Sequence, residues 1–185
     1  MVLLARPREK ISTLISQEEL QKRIRELAQE ISRDYQGRDL LLIGVLKGSF
    51  MFLADLLREM DHSVEIDFMG TSSYGASTQS SGEVRITKDL EKSVAGRHVL
   101  LVEDIVDTGL TLRYLVDTLR ARQPASLKVC ALLDKPARRR VRISLDYYGF
   151  IIPNAFVIGY GLDYQEKYRG LPYVGVLEPD QSEKG

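Results

Sequence analysis

A few short, unbroken apolar runs, separated by helix-sized segments, restrict this chain more than any other feature. Leu40-Leu41-Leu42-Ile43-Gly44-Val45-Leu46 contains no polar side chain; His98–Glu103 is apolar between its two ends, and Leu127–Leu133 is apolar apart from Lys128. A strand this apolar must be covered on both faces, as strands inside a parallel sheet are. Residues 16–35 read as an amphipathic helix. A Ser16/Glu19 capping box opens it, Leu20, Ile24, Leu27, Ala28 and Ile31 recur at helical spacing, and Gly37 ends it. Phe50 to Met60 is apolar nearly all round, which predicts a buried helix. Leu112, Leu115, Val116 and Leu119 line one face of a third helix, closed by Pro124. Further strands are expected at Val64–Met69, Glu83–Lys88, Ala155–Tyr160 and Val174–Leu177. Strands alternating with helices specify an α/β fold with a mostly parallel twisted sheet flanked by helices. Ligands on such sheets bind at the carboxyl ends of the strands.

Length and composition set outer limits. A chain of 185 residues fits one domain, 1–185. Lys plus Arg and Asp plus Glu both number 26, which argues against a surface built to grip a nucleic-acid backbone. The single cysteine, Cys130, excludes an internal disulfide and a Cys-based zinc site; it lies in an apolar strand and reads as buried and inert. No apolar run approaches the roughly 20 residues that span a bilayer. Met1 to Pro7 is too short and too soon charged for a signal peptide, so a cytoplasmic protein is expected. His62 and His98 lie near strand starts, away from the ligand end, and receive no catalytic role. Residues 70–82 are small, polar and flanked by glycine, so they form a loop that is either functional or disordered.

The chemistry concentrates in Val99-Leu100-Leu101-Val102-Glu103-Asp104-Ile105-Val106-Asp107-Thr108-Gly109-Leu110-Thr111. An apolar strand ends in two carboxylates, a third opens a turn, and a helix follows. The N–H groups of a helix N-terminus favour an anion. Gly109 permits close backbone approach, and Thr108 and Thr111 add hydroxyls. The turn is therefore a phosphate cradle. Glu103, Asp104 and Asp107 would repel that phosphate, so they suit sugar hydroxyls, a divalent cation or a proton transfer. A phosphorylated sugar satisfies both halves. Leu46-Lys47-Gly48-Ser49 closes the first buried strand, but its order is not that of a Walker A loop.

These segments resemble the type I phosphoribosyltransferases, and the Glu-Asp-Ile-Val-Asp-Thr-Gly wording is most similar to the hypoxanthine-guanine enzymes. The resemblance runs from about Leu40 to Leu177. It implies that fold, with a small hood formed by the N-terminal segment and residues of about 134–178, and a mobile loop at about 70–82. It implies Mg2+-dependent transfer of 5-phosphoribosyl from phosphoribosyl pyrophosphate to hypoxanthine or guanine, giving IMP or GMP, by a homodimer or homotetramer. Asp107 would take the N7 proton of the base. Glu103 and Asp104 would orient the ribose and its metal, and Asp107, Thr108, Gly109, Leu110 and Thr111 would hold the 5′-phosphate. Lys47, Gly48 and Arg169 would bind pyrophosphate, with a cis peptide before Lys47. Ser73 and Tyr74 would belong to the closing loop. Lys135 would donate to the purine 6-oxo group, Phe156 would stack on the base, Val157 would offer backbone groups, and Asp163 would hold magnesium. On residue type alone, Phe156 reads as core and Lys135 and Arg169 as solvated.

Two neighbours of this reading differ at identifiable residues. Xanthine-guanine enzymes of the shorter kind word the loop differently from Ser72-Ser73-Tyr74-Gly75. RNA-binding regulators of pyrimidine operons carry an aromatic residue where this chain has Asp107. The basic run Lys135-Pro136-Ala137-Arg138-Arg139-Arg140-Val141-Arg142 is the one feature favouring RNA, and it reads first as a solvated or interface face.

Overall fold

The computed structural model describes residues 10–61, 63–73 and 84–177. Along the chain run β1 (Ile11–Ile15), α1 (Gln17–Asp34), β2 (Leu40–Leu46), α2 (Phe50–Arg58), β3 (Glu65–Ser73) and β4 (Val84–Lys88). Then come β5 (His98–Val106), α3 (Leu110–Ala121), β6 (Ser126–Asp134), a 3-10 turn (Pro136–Arg138), β7 (Tyr147–Ile151), β8 (Val157–Ile158) and β9 (Val174–Leu177). The main sheet has the order β4-β3-β2-β5-β6-β7. Its pairings are parallel except at the β4 edge.

Alternation along the central strands covers both faces of this sheet. Leu40 and Leu42 of β2, with Leu100 and Val102 of β5, join the core under α1 and α2. Leu41, Ile43 and Val45, with Val99 and Leu101, join a second core under α3. The expected apolar strands thus form the centre of an α/β/α stack. Ser16 caps α1 as its spacing predicts: Glu19 N donates to Ser16 Oγ at 3.2 Å, and Ser16 N donates to Glu19 Oε2 at 2.8 Å.

A second sheet, β1-β9-β8, joins the first strand of the chain to the last two. Ile15, Val157 and Val174 carry its apolar side into the core under α1 and α2. The resemblance implied a hood that includes residues of about 134–178; of that span, β8 and β9 lie in this second sheet, whereas β7 lies in the main sheet. Among the described residues, no helix is long and apolar enough to cross a membrane.

Several expectations need correction. The helix from Phe50 is amphipathic rather than buried all round: Phe52, Leu53 and Leu56 are inside, whereas Phe50 is 43% exposed. β5 does not stop at Glu103 but continues to Val106, because its ladder with β6 runs on to Val106↔Asp134. Main-chain pairing, not side-chain polarity, sets that end. Residues 70–73 belong to β3 rather than to a loop, pairing with β4; Tyr74 and residues 75–83 lie outside the described residues. The strand expected over Ala155–Tyr160 shrinks to Val157–Ile158 and lies in the hood sheet, because Gly159, Tyr160 and Gly161 all turn to positive φ. β1 and β7 were not foreseen.

Replacing Ser16 by Ala removes a side chain that satisfies one orphan N–H of α1. The expected loss is about 1 kcal/mol of unfolding free energy. In urea titrations the midpoint should fall with an unchanged slope; an unchanged midpoint contradicts the capping role.

Candidate active site

The order of the main sheet places the site. β2 and β5 are neighbours, yet the chain leaves β2 toward β3 on one side and leaves β5 toward β6 on the other. At such a switch point the two connecting loops diverge and leave a crevice outside the carboxyl ends of the strands. A cavity of about 610 Å³ opens there.

Its floor is the end of β5. Glu103 is 7% exposed, and its Oε2 is buried without a hydrogen-bond partner. Burial raises Glu103 well above the usual carboxylate range, and the neighbouring Asp104 charge adds to the shift. Burial also raises Asp104, to about 6, against the opposing hydrogen bond from Ile105 N, which donates to Asp104 Oδ1 at 2.9 Å. Across the crevice, β2 ends in a cis Leu46–Lys47 peptide, as the resemblance implied. Gly48 lies so close to Asp104 that a Cβ there would fall 1.6 Å from Asp104 Oδ2. Only glycine permits this approach. Gly161 of the hood, at φ +99°, lies equally close to Gly48, since its own Cβ would fall 2.0 Å from Gly48 O. Hood, β2 loop and β5 carboxylate are thus stacked through two glycines.

The turn after β5 is built as its sequence suggests. Gly109 adopts φ +82° before α3 begins at Leu110. Leu110 N donates to Thr108 Oγ1 at 3.4 Å. A smaller cavity of about 90 Å³ lies at this turn, lined by Asp107, Thr108, Gly109 and Thr111 among others. Leu110 itself lines neither cavity; only its place at the helix N-terminus serves the turn.

The structure brings Lys47, Gly48, Glu103, Asp104, Asp107, Thr111, Lys135, Phe156, Val157, Asp163 and Arg169 to the wall of the larger cavity. Phe156 is 55% exposed there, against its reading as core from residue type, and Lys135 is buried rather than solvated. Ser73 ends β3. Lys47 and Arg169 are already paired with acids: Lys47 Nζ stands 2.9 Å from Glu166 Oε2, and Arg169 Nη2 stands 2.8 Å from Asp163 Oδ1 and 3.4 Å from Glu166 Oε2.

Sequence reasoning missed three features. Glu166 bridges Lys47 and Arg169 but is an isolated exposed acid in sequence. Tyr164 meets Phe156 edge-on with centroids 5.7 Å apart. The basic run is not merely a solvated face. Arg138 Nε stands 3.4 Å from Asp107 Oδ1, Arg139 Nη1 donates to Asp107 O at 3.3 Å, Arg140 N donates to Thr108 O at 2.9 Å, and Arg139 also pairs with Asp134. The run clamps the turn after β5. Its proximity to Asp107 carries no signal in the sequence.

Adjacent acids beside a helix-opening turn at the switch point of such a sheet fit the phosphoribosyltransferase class. Residues 12–165 match the phosphoribosyl transferase domain family, and the chain belongs to it. Its relatives specify the hypoxanthine-guanine branch. The hypoxanthine-guanine phosphoribosyltransferase of Bacillus subtilis (strain 168) is 56% identical over 166 residues, covering 90% of this chain and 92% of that protein. The bifunctional protein TilS/HprT of Listeria monocytogenes is 57% identical over 167 residues, and this chain spans 26% of its length. A crystal structure of a hypoxanthine phosphoribosyltransferase from Staphylococcus aureus matches with a TM-score of 0.87 at 47% identity, covering 91% of each chain.

Asp104 makes the electrostatics testable. A carboxyl raised from 3.8 to about 6 favours the folded state while protonated. That contribution is full below about pH 4 and is lost as pH rises through about 6. Asp104→Asn, which is neutral throughout, should therefore raise Tm over the parent at about pH 7.5 and change it little at about pH 4. A Tm difference that does not vary with pH contradicts the buried-charge account.

Proposed function

We propose that this chain transfers 5-phosphoribosyl from phosphoribosyl pyrophosphate to hypoxanthine or guanine, as a cytoplasmic purine-salvage enzyme and a homodimer or homotetramer. The observation that carries the reading is the adjacent acids Glu103, buried, and Asp104, half-buried, beside the Asp107–Thr111 turn and facing the Lys47-Gly48 loop. Buried carboxylates with an unpartnered oxygen are costly unless something binds them. Ribose hydroxyls would supply the missing donors, and the turn at the start of α3 would hold the 5′-phosphate of the same molecule.

In the reaction, a ring nitrogen of the purine bonds to the anomeric carbon. The bond from that carbon to pyrophosphate breaks, and pyrophosphate leaves with the electron pair. Positive charge develops on the ribose ring, where Glu103 and Asp104 oppose it electrostatically. Asp107 takes the N7 proton of the base. Lys47, the Gly48 backbone and Arg169 bind the departing pyrophosphate, once it displaces Glu166 from the two cations. Lys135 and the Val157 backbone read the purine edge, and Phe156 stacks on its face.

Magnesium fits these residues. Among the described residues no three acidic, His or Cys side chains form a metal cage, but Mg2+ commonly takes one or two carboxylates and completes its shell with water and substrate phosphates. Asp163 on one side of the cleft, or the Glu103–Asp104 pair on the other, would hold it with water and substrate oxygens completing the shell, and when bound it would offset the charge of pyrophosphate.

An assay of phosphoribosyl pyrophosphate with hypoxanthine, guanine, xanthine, adenine and uracil, with and without magnesium, tests the reading. Conversion of hypoxanthine or guanine that needs magnesium is expected; conversion of uracil alone, or of no base, contradicts it. Asp107→Asn should lower kcat by about 10²–10⁴-fold while nucleotide binding changes little. Equal losses in binding and turnover would make Asp107 a positioning residue instead.

A further inference from the structure

A second cleft, of about 600 Å³, opens on the α3 face of the main sheet and shares no lining residue with the cavity between β2 and β5. Two of its arginines, Arg113 and Arg120, lie with Val116 along one stripe of α3. Two more, Arg139 and Arg142, come from the basic run that follows β6. Leu127, Val129 and Ile143 form an apolar floor.

The charges in this cleft are poorly balanced. Its only acidic lining residue is Asp146, which also accepts a hydrogen bond from Val129 N at 2.8 Å. Arg139 is taken up by Asp134. Arg113 donates through Nη2 to the carbonyl of Arg142, but its Nε is buried without a partner. Arg120 and Arg142 form no ion pair among the described residues. Cations gathered in one concavity repel one another unless an anion joins them, and planar guanidinium groups match phosphate oxygens in pairs. The volume is in the range of small-molecule sites, and the apolar floor offers a flat ring a surface.

We propose that this cleft binds a nucleoside polyphosphate, with its phosphates on Arg113, Arg120 and Arg142 and its ring on the Leu127–Val129–Ile143 floor. The cleft adjoins the proposed active site through one residue. Arg139 lines its wall, donates to Asp107 O, and lies against Gly109, where a Cβ would come 3.1 Å from Arg139 Cδ. A ligand drawing Arg139 outward would loosen the turn that carries Asp107.

Calorimetric titration of ATP and of inorganic tripolyphosphate, at physiological ionic strength, into the parent and into R120A/R142A tests this. Neither substituted residue lines the first cavity, so a loss of binding belongs to the second cleft. The readout is binding, and it stands or falls independently of the proposed reaction. ATP should bind the parent and weaken by about tenfold or more in the variant, as expected for losing two charge-assisted contacts. R120Q/R142Q should behave alike, and an unchanged Tm shows that both variants fold. Tripolyphosphate binding with the same sensitivity supports the phosphate contacts. ATP affinity equal in parent and variants overturns the proposal, as does R120A/R142A-sensitive binding of an RNA oligomer in the absence of any ATP binding.

Discussion

The placing of two adjacent acids at the end of β5, Glu103 buried and Asp104 half-buried, is the constraint on which the rest of the site depends. Loss of hydration at the strand end pushes both carboxyls up, Glu103 the more deeply buried of the two. Among the described residues, Glu103 Oε2 has no hydrogen-bond partner. The fold builds inward onto this pair. Gly48 comes against Asp104, Gly161 comes against Gly48, and both contacts exclude a side chain. The hood is therefore registered against the sheet by close contacts of two glycines at the site itself. A site that buries charge in this way is organised for a ligand that brings its own hydroxyls and cations.

The cations around the acids are arranged as placeholders. Lys47 and Arg169 both hold Glu166, and Arg169 also holds Asp163. The Lys47–Glu166 pair is two-thirds exposed on both sides, so water and salt screen it and its contribution to stability is small. A weak internal pairing keeps the cations near the cleft without opposing a stronger anion. The clamp on the Asp107 turn is of another kind. Arg139 is mostly buried, and Arg140 makes a main-chain bond to the same turn.

What the sequence revealed depended on where the determining partner lay. β2, β5 and β6 were legible because a strand covered on both faces must be apolar by itself. Ser16 and Glu19 were legible because a cap is made within four residues. The turn from Glu103 to Thr111 was legible because its parts are contiguous. The extension of β5 to Val106 was hidden, since the ladder to β6 carries charged residues along. β1 was hidden because its partner β9 lies at the far end of the chain, and β7 because an edge strand containing Gly149 and following a basic run shows no clear alternation. Lys135 and Phe156 each looked opposite to what the fold makes of them; burial of a lysine and exposure of a phenylalanine are settled by the cleft, not by residue type. The roles of Glu166 and Arg139 exist only in three dimensions.

The central claim is that the carboxyls of Glu103 and Asp104, side by side at the end of β5, are raised by loss of hydration. A carbon-13 carboxyl NMR titration of the free protein, repeated with magnesium and phosphoribosyl pyrophosphate, measures this directly. The account predicts an Asp104 midpoint near 6 in the free protein, a Glu103 midpoint well above the ordinary range, and a fall in both on binding. Ordinary carboxylate midpoints in the free protein, unchanged by the ligands, would contradict it.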